Sequence, residues 1–250
     1  MGLFSEFAFR ARAAVPWSLP AFKSVVSLAQ ARESSSDATR LDELDSRYSL
    51  SSWSRCCDHQ DWRESLYVLD VLARLLPKSL PAGRGLDVGA KNGAMLPGLV
   101  TATGRGCDAV ELDAHRRYLW GSTRRVYGEA MARAFPDCRF ISGDVRALEG
   151  PWAIVTWWLP FLSPAPLEAW GLPERFLAPL ELLRHVTDRV VPGGVLFVVN
   201  QGEGEAELQR QLFVQLGLRA TPLGRIESSL SPFIRPRFGW LFSPSTPGVR

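Results

Sequence analysis

The chain has 250 residues, of which 46% are hydrophobic and 22% charged, and its formal net charge is +3. This length and composition are typical of a globular protein with one large domain, alone or with a modest extension. So weak a basic excess does not indicate a dedicated nucleic-acid binder, which usually carries a concentrated basic stripe.

Cysteine usage favours a reducing compartment. The four cysteines are sparse, and Cys56 and Cys57 are adjacent, so their spacing does not predict a disulfide framework. Together with His59 these two could form a metal clip, but no second cluster of ligands has matching spacing. We therefore expect a cytoplasmic protein without a bound metal.

Residues 1–60 are expected to form a helical extension to a domain at residues 61–250. Glu6, Arg10 and Arg12 make the start of the chain too charged for a signal peptide. No run of about 18 apolar residues occurs, so no membrane span is predicted. The mildly amphipathic first residues could lie on a membrane surface, on another protein or on their own domain.

The first strong helical pattern lies between a Ser-rich stretch at 33–37 and a Pro/Gly-rich stretch at 77–85. Apolar residues recur there at helical spacing, Asp61 and Glu64 have the spacing of a capping box, and Pro77 ends the pattern. This helix leads directly into the part of the chain where strands are predicted.

From residue 84 onward, short apolar runs alternate with helical patterns. The runs are rich in β-branched and aromatic residues, which suits strands buried on both faces of a parallel sheet. The alternation predicts a doubly wound, mostly parallel α/β sheet with helices on both faces. The predicted strands are 85–90, 107–112, 138–142, 153–158, 195–200 and, last in the chain, 238–242.

Two helices are predicted between these strands. One spans 181–190 and is ended by Pro192, Gly193 and Gly194. The other carries two basic pairs, interpreted as a solvated face rather than as contacts to RNA phosphates. Its apolar stripe is Leu119, Thr123, Val126, Ala130, Met131 and Ala134, and its basic pairs are Arg116 with Arg117 and Arg124 with Arg125.

The most informative stretch runs from Leu86 to Gly93 and reads Leu-Asp-Val-Gly-Ala-Lys-Asn-Gly. It predicts the end of a strand, a turn and the start of a helix. A helix N-terminus presents unpaired N–H groups and a positive dipole end, so such a turn can hold a carboxylate or a phosphate. Gly89 and Gly93 would let the backbone approach that ligand without a Cβ clash.

Two ligands compete for this turn. A dinucleotide would need a glycine where Lys91 stands, and Asp87 at the strand end would repel the pyrophosphate. S-adenosylmethionine has no phosphate but carries an ammonium and a carboxylate. An acid beside the turn and N–H groups within it complement those two charges, so the residues favour S-adenosylmethionine.

Two further acids follow predicted strand ends. Glu111 ends the second strand, where a carboxylate can accept hydrogen bonds from both ribose hydroxyls. Asp144 follows the third strand, where an acid can accept from the adenine amino group. Each alone could be an ordinary surface acid, but three strand-end acids in this order are much less expected by chance.

These stretches resemble motifs of the class I, Rossmann-like, S-adenosylmethionine-dependent methyltransferases. Residues 86–93 resemble motif I, 109–113 the ribose-binding motif, 142–145 the adenine-binding motif and 190–199 the turn into the fifth strand. The resemblance covers roughly residues 62–242. It implies a seven-stranded sheet with an antiparallel last strand and a cofactor at the carboxyl ends of the first strands.

The resemblance also implies which residues bind the cofactor, S-adenosyl-L-methionine. The chain departs from motif I at Lys91, which replaces the middle glycine. The cofactor-binding residues implied are Asp87, Gly89, Ala90, Lys91, Asn92, Gly93, Glu111, Leu112, Asp144, Val145 and Thr156.

The fourth predicted strand would face the methyl acceptor. Methyltransferases that act on base amines often carry Asn or Asp followed by Pro-Pro-aromatic here, and only the Leu159–Phe161 remnant is present. The acids that metal-dependent catechol enzymes need after the fourth and fifth strands are missing, so no metal is predicted. The acceptor-site residues predicted are Trp157, Trp158, Phe161, Asn200 and Gln201, with Trp170 as a further candidate.

Several details of the acceptor pocket are also expected. Strand alternation puts Trp157 and Trp158 on opposite sides, so at most one should face the ligand. Tyr48 and Trp53 are expected to cover the site. His115 would lie beside the cofactor sugar rather than its sulfonium. Glu203 and Glu205 are interpreted as the first turn of the next helix, and Pro160, Pro164, Pro166 and Pro173 predict a stiff, non-helical loop.

The function predicted is metal-independent methyl transfer from S-adenosylmethionine to an O or N nucleophile of a small molecule. The alternatives are an RNA or protein methyltransferase, or a non-catalytic binding protein that kept the fold. No side chain identifies itself as the catalytic base, and the oligomeric state is not predicted.

Overall fold

A computed structural model describes residues 2–15, 17–231 and 235–244 of the chain. Its described residues contain a seven-stranded sheet with the strand order β3-β2-β1-β4-β5-β7-β6. The strands are β1 (Gly85–Val88), β2 (Cys107–Glu111), β3 (Arg139–Ser142), β4 (Trp152–Trp158), β5 (Val190–Gln201), β6 (Thr221–Ile226) and β7 (Arg237–Phe242).

The sheet is mostly parallel, as predicted, but it contains an antiparallel hairpin. The five strands β3, β2, β1, β4 and β5 pair in parallel in that order across the sheet, whereas β7 runs antiparallel to both β5 and β6. The seven strands and the antiparallel last strand confirm the sheet that the resemblance implied. Sequence reasoning missed β6, because Pro222 and Gly224 interrupt its short apolar pattern.

Helices cover both faces of the sheet, which confirms a three-layer α/β arrangement. One apolar cluster joins α4, α5 and α6 to one face, and a second joins α8 and α9 to the other. The helices are α1 (Gly2–Ala14), α2 (Leu28–Glu33), α3 (Ala38–Tyr48), α4 (His59–Leu75), α5 (Leu96–Thr103), α6 (Arg124–Arg133), α7 (Pro164–Ala169), α8 (Pro179–Thr187) and α9 (Gly202–Gln215).

Two predicted helix starts were wrong in detail. The N-cap of α4 is Asp58, whose side chain accepts from the N–H of Asp61, so the capping box is Asp58 with Asp61 and not Asp61 with Glu64. Helix α6 begins after the N-cap Thr123, and Leu119 lies in a turn before it with its side chain fully exposed. Leu119 therefore contributes nothing to the apolar stripe of α6.

Two proline-containing segments also differ from expectation. Pro164 and Pro166 fall in α7, so the loop after β4 is not entirely non-helical; proline is tolerated in a first helical turn because that N–H has no intrahelical acceptor. Helix α8 ends at Thr187, before Pro192. The segment Pro192–Gly194 lies within β5, where the pairing with β4 shifts register, and does not end a helix.

The segment before α4 packs closely against the rest of the protein. Leu41, Leu44, Leu50 and Trp53 are buried in the same apolar cluster as α4 and α5. The indole N–H of Trp53 donates to Thr101 Oγ1 at 3.1 Å. Across the described ranges, no helix is both long enough and apolar enough to span a bilayer.

Candidate cofactor and acceptor site

The turn after β1 has a glycine-type backbone at three positions. The φ angles are +74° at Gly89, +56° at Lys91 and +78° at Gly93. A Cβ on Gly93 would stand 3.3 Å from the Cβ of Met131 in α6, so glycine also allows the turn to pack closely on that helix. Lys91 therefore keeps the left-handed backbone of the glycine that it replaces, although a side chain makes that conformation costly.

The N–H groups of this turn are largely used within the protein. Gly89 and Ala90 both donate to the carbonyl of Val110, at 2.9 and 3.0 Å, and Gly93 donates to Ala90 at 2.7 Å. The N–H of Lys91 donates to Glu111 Oε2 at 2.8 Å. Four N–H groups of the turn are therefore already engaged, which weakens the expectation that its free N–H groups would bind a carboxylate.

Asp87 is a buried acid at the end of β1, only 1% exposed. Its Oδ1 accepts from Thr156 Oγ1 at 2.8 Å, whereas its Oδ2 has no hydrogen-bond partner among the described residues. Burial raises the pKa of Asp87 to about 7, although the Thr156 bond favours the carboxylate. A buried carboxylate oxygen without a partner fits a cationic group of a ligand.

Glu111 is held in place on three sides. Its carboxylate accepts from the N–H of Lys91 at 2.8 Å, the N–H of Asp113 at 2.9 Å and Arg124 Nη1 at 3.0 Å. Burial raises the pKa of Glu111, while Arg124 and the two N–H groups act in the opposite direction. Oε2 takes just one of these bonds, so it retains a lone pair for a ligand hydroxyl.

Arg124 is buried, which corrects its interpretation as part of a solvated face. It pairs with Glu111, and its guanidinium carbon lies 4.6 Å from the ring centroid of Trp170. Arg116, unlike Arg124, is not on a helix: it pairs with the buried Asp113 at 2.5 Å and donates to the carbonyl of Trp170. These arginines join the end of β2 to the segment after β4.

Asp144 lies after β3 and is held by Arg146. The guanidinium of Arg146 donates to both carboxylate oxygens, and the Arg146 N–H donates to Oδ1 at 2.9 Å. Burial alone would raise the pKa of Asp144, but the bonds from Arg146 outweigh it, so the pKa is lowered. Asp144 therefore remains a carboxylate with part of its acceptor capacity already used.

These elements surround one pocket of about 410 Å³ at the carboxyl edge of the parallel strands. Its position agrees with the rule that open α/β sheets bind ligands where the strand order reverses, here between β1 and β4. Of the predicted site residues, Gly89, Ala90, Lys91, Glu111, Leu112, Asp144, Val145, Trp157, Trp158, Phe161 and Gln201 line it, as does Trp170.

Five predicted site residues do not line the pocket. Asn92 and Gly93 belong to the turn but not to the pocket lining, and Asp87 and Thr156 lie buried beside the pocket, joined by their hydrogen bond. Asn200 is fully buried, and its side-chain amide has no hydrogen-bond partner among the described residues. Because side chains alternate along β5, Asn200 shares the side of Val198, which packs with α8 and α9.

Trp157 and Trp158 lie on opposite sides of β4, yet both line the pocket. Trp157 belongs to the cluster with α8, and Trp158 to the cluster with α4, where it packs edge-on against Tyr67 at 5.7 Å between ring centroids. Both are buried. Each tryptophan therefore belongs to the apolar core and also lines the pocket. The expected division into one pocket tryptophan and one core tryptophan was wrong.

Sequence reasoning missed the polar lining of the acceptor side. Arg63, Glu64 and Tyr67 come from α4, Glu205 from the start of α9 and Arg237 from β7. Glu205 accepts from the N–H of Gln201 at 2.8 Å, as a first-turn acid does. The helical spacing of residues 63, 64 and 67 was the available signal, but it did not reveal which face met the sheet edge.

Tyr48, Trp53 and His115 were expected near the site but lie outside the pocket lining. Tyr48 and Trp53 pack against the core and do not line the pocket, because α3 and the turn after it rest on α4 and α5. His115 does not line the pocket either, and burial lowers its pKa. Within the described ranges, no group of three or more His, Cys, Asp or Glu residues could hold a metal ion.

Comparison with known proteins finds only distant likenesses to solved structures. No protein-family model matches the chain, and no curated protein matches it. A protein of Pyrococcus horikoshii assigned as an RNA methyltransferase is 16% identical, with 74% of this chain and 83% of that chain covered and a TM-score of 0.48. The ribosomal protein L11 methylase of Lactobacillus delbrueckii is 12% identical, with 76% and 81% covered and a TM-score of 0.48.

A third structure is the glycopeptide N-methyltransferase MtfA complexed with S-adenosylmethionine. It is 12% identical, with 71% of this chain and 94% of that chain covered and a TM-score of 0.47. Likenesses this distant carry no information on substrate. The strand order, the antiparallel β7 and the pocket at the switch point show that this chain has the Rossmann-like fold that its motifs implied.

Proposed function

We propose that the protein is an S-adenosylmethionine-dependent methyltransferase whose acceptor is a small molecule with an apolar or ring-shaped body. The observation that carries the proposal is the meeting of a glycine-type turn, Glu111 and Asp144 at one pocket, with the open oxygen of Asp87 buried beside it. The acceptor class is supported by the aromatic wall of Trp157, Trp158 and Phe161.

The residues fit the groups of this cofactor one by one. Asp87 would balance the ammonium, the free lone pair of Glu111 would accept from the ribose, and Asp144 would accept from the adenine amine. Leu112 and Val145, which also line the pocket, would supply apolar surface for the adenine. Bound there, S-adenosylmethionine would supply an already activated methyl group.

We assign the cofactor's carboxylate to the Lys91 side chain. The backbone N–H groups of Gly89, Ala90, Lys91 and Gly93 already donate within the protein. Lys91 and Glu64 both line the pocket, and Lys91 Nζ contacts Glu64 Oε1 at a long 3.4 Å, so the other two protons of Nζ remain for a ligand. The residue that replaces the middle glycine would thereby compensate for the four N–H groups that already donate within the protein.

Methyl transfer would form a bond between the acceptor O or N and the methyl carbon and break the bond from that carbon to sulfur. This chain would contribute mainly alignment, which can account for much of the rate enhancement. The acceptor's proton must pass to water or to a pocket carboxylate such as Glu205. No step calls for a metal, so turnover should survive an excess of EDTA.

Calorimetry with two ligands tests the cofactor site. Wild type should bind both S-adenosylmethionine and 5′-methylthioadenosine, which lacks the amino-acid end. Lys91→Met should weaken S-adenosylmethionine about tenfold or more, as expected for the loss of a charged hydrogen bond, and leave methylthioadenosine unchanged. No binding of either ligand by wild type at millimolar concentration would refute the cofactor proposal; equal affinities in Lys91→Met would refute the Lys91 role alone.

The acceptor class needs a separate experiment. Labelled cofactor and cell extract should yield label in the small-molecule fraction, and nuclease or protease treatment of the extract should not change the yield. Label that is lost after nuclease would assign an RNA acceptor, and label in intact protein would assign a protein acceptor. Binding of cofactor without any labelled product would indicate the non-catalytic alternative.

A further inference from the structure

Exposed apolar side chains are concentrated in two short segments of the chain. In the described part of the chain twelve large hydrophobic side chains are exposed, and nine of them belong to residues 4–25 or to the turn at 119–120. So dense a patch is unusual for a surface that meets only water. We call these nine residues the apolar face: Phe4, Phe7, Val15, Trp17, Leu19, Phe22, Val25, Leu119 and Trp120.

The two parts of the apolar face are joined by hydrogen bonds. Ser122 Oγ donates to the carbonyl of Pro20 at 2.7 Å, and Tyr127 Oη donates to the carbonyl of Phe22 at 2.8 Å. The N–H of Leu19 donates to the carbonyl of Gly121 at 3.4 Å. The stretch at 19–22 and the turn before α6 therefore adjoin each other.

Helix α1 packs on the protein with the side opposite to Phe4 and Phe7. Phe9 packs on Phe176, a pocket-lining residue, with 5.0 Å between ring centroids, and Arg12 pairs with the buried Asp113 at 3.1 Å. Phe4 and Phe7, one turn apart on the outer side, are 79% and 72% exposed. Docking of α1 thus leaves its two most apolar outer residues beside the pocket rim without cover.

The charges around the apolar face are mainly positive. Arg10 extends from the outer side of α1, and the guanidinium of Arg117 lies 5.3 Å from the ring centroid of Trp17. The acid within this segment, Glu6, already accepts from Arg10 and from Arg175. A partner with negative charge is therefore complementary to the face.

Three kinds of partner differ in how well they fit. A second copy of the chain would bring the same cations together in a symmetric interface. Single-stranded nucleic acid would stack on Trp17 or Trp120, but Leu19 and Leu119 offer no ring to a base. The boundary between lipid headgroups and acyl chains takes up aliphatic and aromatic side chains alike, and acidic headgroups attract arginine.

We propose that the apolar face docks on an anionic lipid surface, so that the protein lies on a membrane with its pocket rim close to the lipid. The proposal does not depend on the methyl-transfer reaction. It fits the finding that no helix among the described residues is suited to span the bilayer, since docking requires no span.

Vesicle flotation tests this. Wild type should float with phosphatidylcholine–phosphatidylglycerol vesicles, bind less at high salt and bind less to phosphatidylcholine alone. The double variant Phe4→Ser/Phe7→Ser, and separately Leu119→Ser, should lower partitioning about tenfold, since each removes apolar area that the lipid would bury. Val214→Ser is the matched control: Val214 is 64% exposed on α9, outside the apolar face, and its loss should change nothing.

The variants alter exposed side chains, so their melting temperatures and cofactor affinities should equal those of wild type. Failure of wild type to float with anionic vesicles would overturn the proposal, as would equal flotation of all variants. Binding of a single-stranded oligonucleotide that the Phe4/Phe7 variant loses would assign the face to nucleic acid instead. A concentration-dependent dimer that the same variant abolishes would assign it to a second copy of the chain.

Discussion

The two halves of the pocket are built from the sequence in different ways. The cofactor half, at the ends of β1, β2 and β3, consists of acids held by backbone N–H groups and by nearby arginines, as Glu111 is by Lys91 and Arg124. The acceptor half consists of buried aromatic side chains from β4 and polar ones from α4, α9 and β7. The acceptor half therefore brings together elements that are far apart in the chain.

The two halves also differ in how far their side chains are oriented before a ligand binds. In the cofactor half the carboxylates of Glu111 and Asp144 are already oriented by hydrogen bonds, which lowers the entropic cost of binding. In the acceptor half the wall is apolar packing, and its shape depends on how α4 and β4 meet. Mutations should therefore affect binding in the first half and stability in the second, with Glu111 as the instructive exception.

The largest effect is expected at Glu111, which serves both purposes. Glu111→Ala should cost about 3–5 kcal/mol of unfolding free energy, because it leaves the buried Arg124 without its partner. It should also weaken S-adenosylmethionine roughly ten- to hundredfold, through the loss of charged hydrogen bonds. Chemical denaturation and calorimetry measure the two effects separately.

The double variant Glu111→Ala/Arg124→Met separates the two roles of Glu111. Removal of both charges should restore most of the stability, because a methionine fills the site without an unpaired cation. The cofactor affinity should stay as low as in the single variant. If affinity returned together with stability, Glu111 would act through the fold rather than through the ligand.

A similarly large loss, but of stability alone, is expected in the acceptor half. Trp158→Ala should cost about 3–5 kcal/mol, since the indole packs against Tyr67 and Phe197. Trp158→Phe should cost only about 1 kcal/mol, because the indole N–H has no partner among the described residues and its loss leaves nothing unpaired. Cofactor affinity measured on Trp158→Phe should equal that of wild type; a clear drop would mean that the two halves are coupled.

The same contrast explains what the sequence could predict. Motif residues such as Asp87, Glu111 and Asp144 sit at strand ends, and parallel strands end at one edge, so local patterns were enough to place them near each other. The strand order beyond β5 needed the family resemblance as well, because nothing in the local pattern of β7 states that it inserts between β5 and β6.

Other features depend on tertiary contacts that leave no local signal. Arg124 looks like half of a basic pair on a surface helix, and only the position of α6 beside β2 turns it toward Glu111. Trp53 looks like a pocket aromatic, yet it fits between α4 and α5, where Thr101 satisfies its N–H. Asn200 lies near the end of β5, but the alternation of side chains along the strand turns it away from the pocket.

A smaller effect, with a defined pH dependence, is expected at Asp87. Its pKa is raised by burial from the usual 3.8 to about 7, so ionisation opposes folding. The penalty is absent below about pH 4, grows as pH rises and is complete above pH 7, where it amounts to roughly 2–4 kcal/mol. Asp87→Asn should therefore melt above wild type at pH 8 and close to it at pH 4.5.

Cofactor binding should favour wild type over Asp87→Asn, which is the reverse of their order of stability at pH 8. Its ammonium would favour the ionised Asp87, so binding to wild type should release a proton near neutral pH and strengthen as pH rises from 6 to 8. Calorimetry in two buffers of different ionisation enthalpy detects the proton. Asp87→Asn should bind more weakly and without proton release. An Asn variant that binds as tightly as wild type at pH 8 would remove Asp87 from the cofactor half.

The smallest effect is expected at Lys91, where the cofactor half departs from a glycine. Lys91 has a φ of +56°, and a left-handed conformation costs a residue with a Cβ roughly 1–2 kcal/mol. Lys91→Gly should relieve that cost, whereas Lys91→Ala keeps it and also removes the weak ion pair with Glu64. Denaturation curves should therefore place the unfolding free energy of the glycine variant about 1 kcal/mol above that of the alanine variant, and both should lose affinity for S-adenosylmethionine equally.

A glycine variant no more stable than the alanine variant would show that this turn does not require a glycine-type backbone. A glycine variant that still binds as tightly as wild type would show that the turn's own N–H groups, and not the Lys91 side chain, hold the carboxylate.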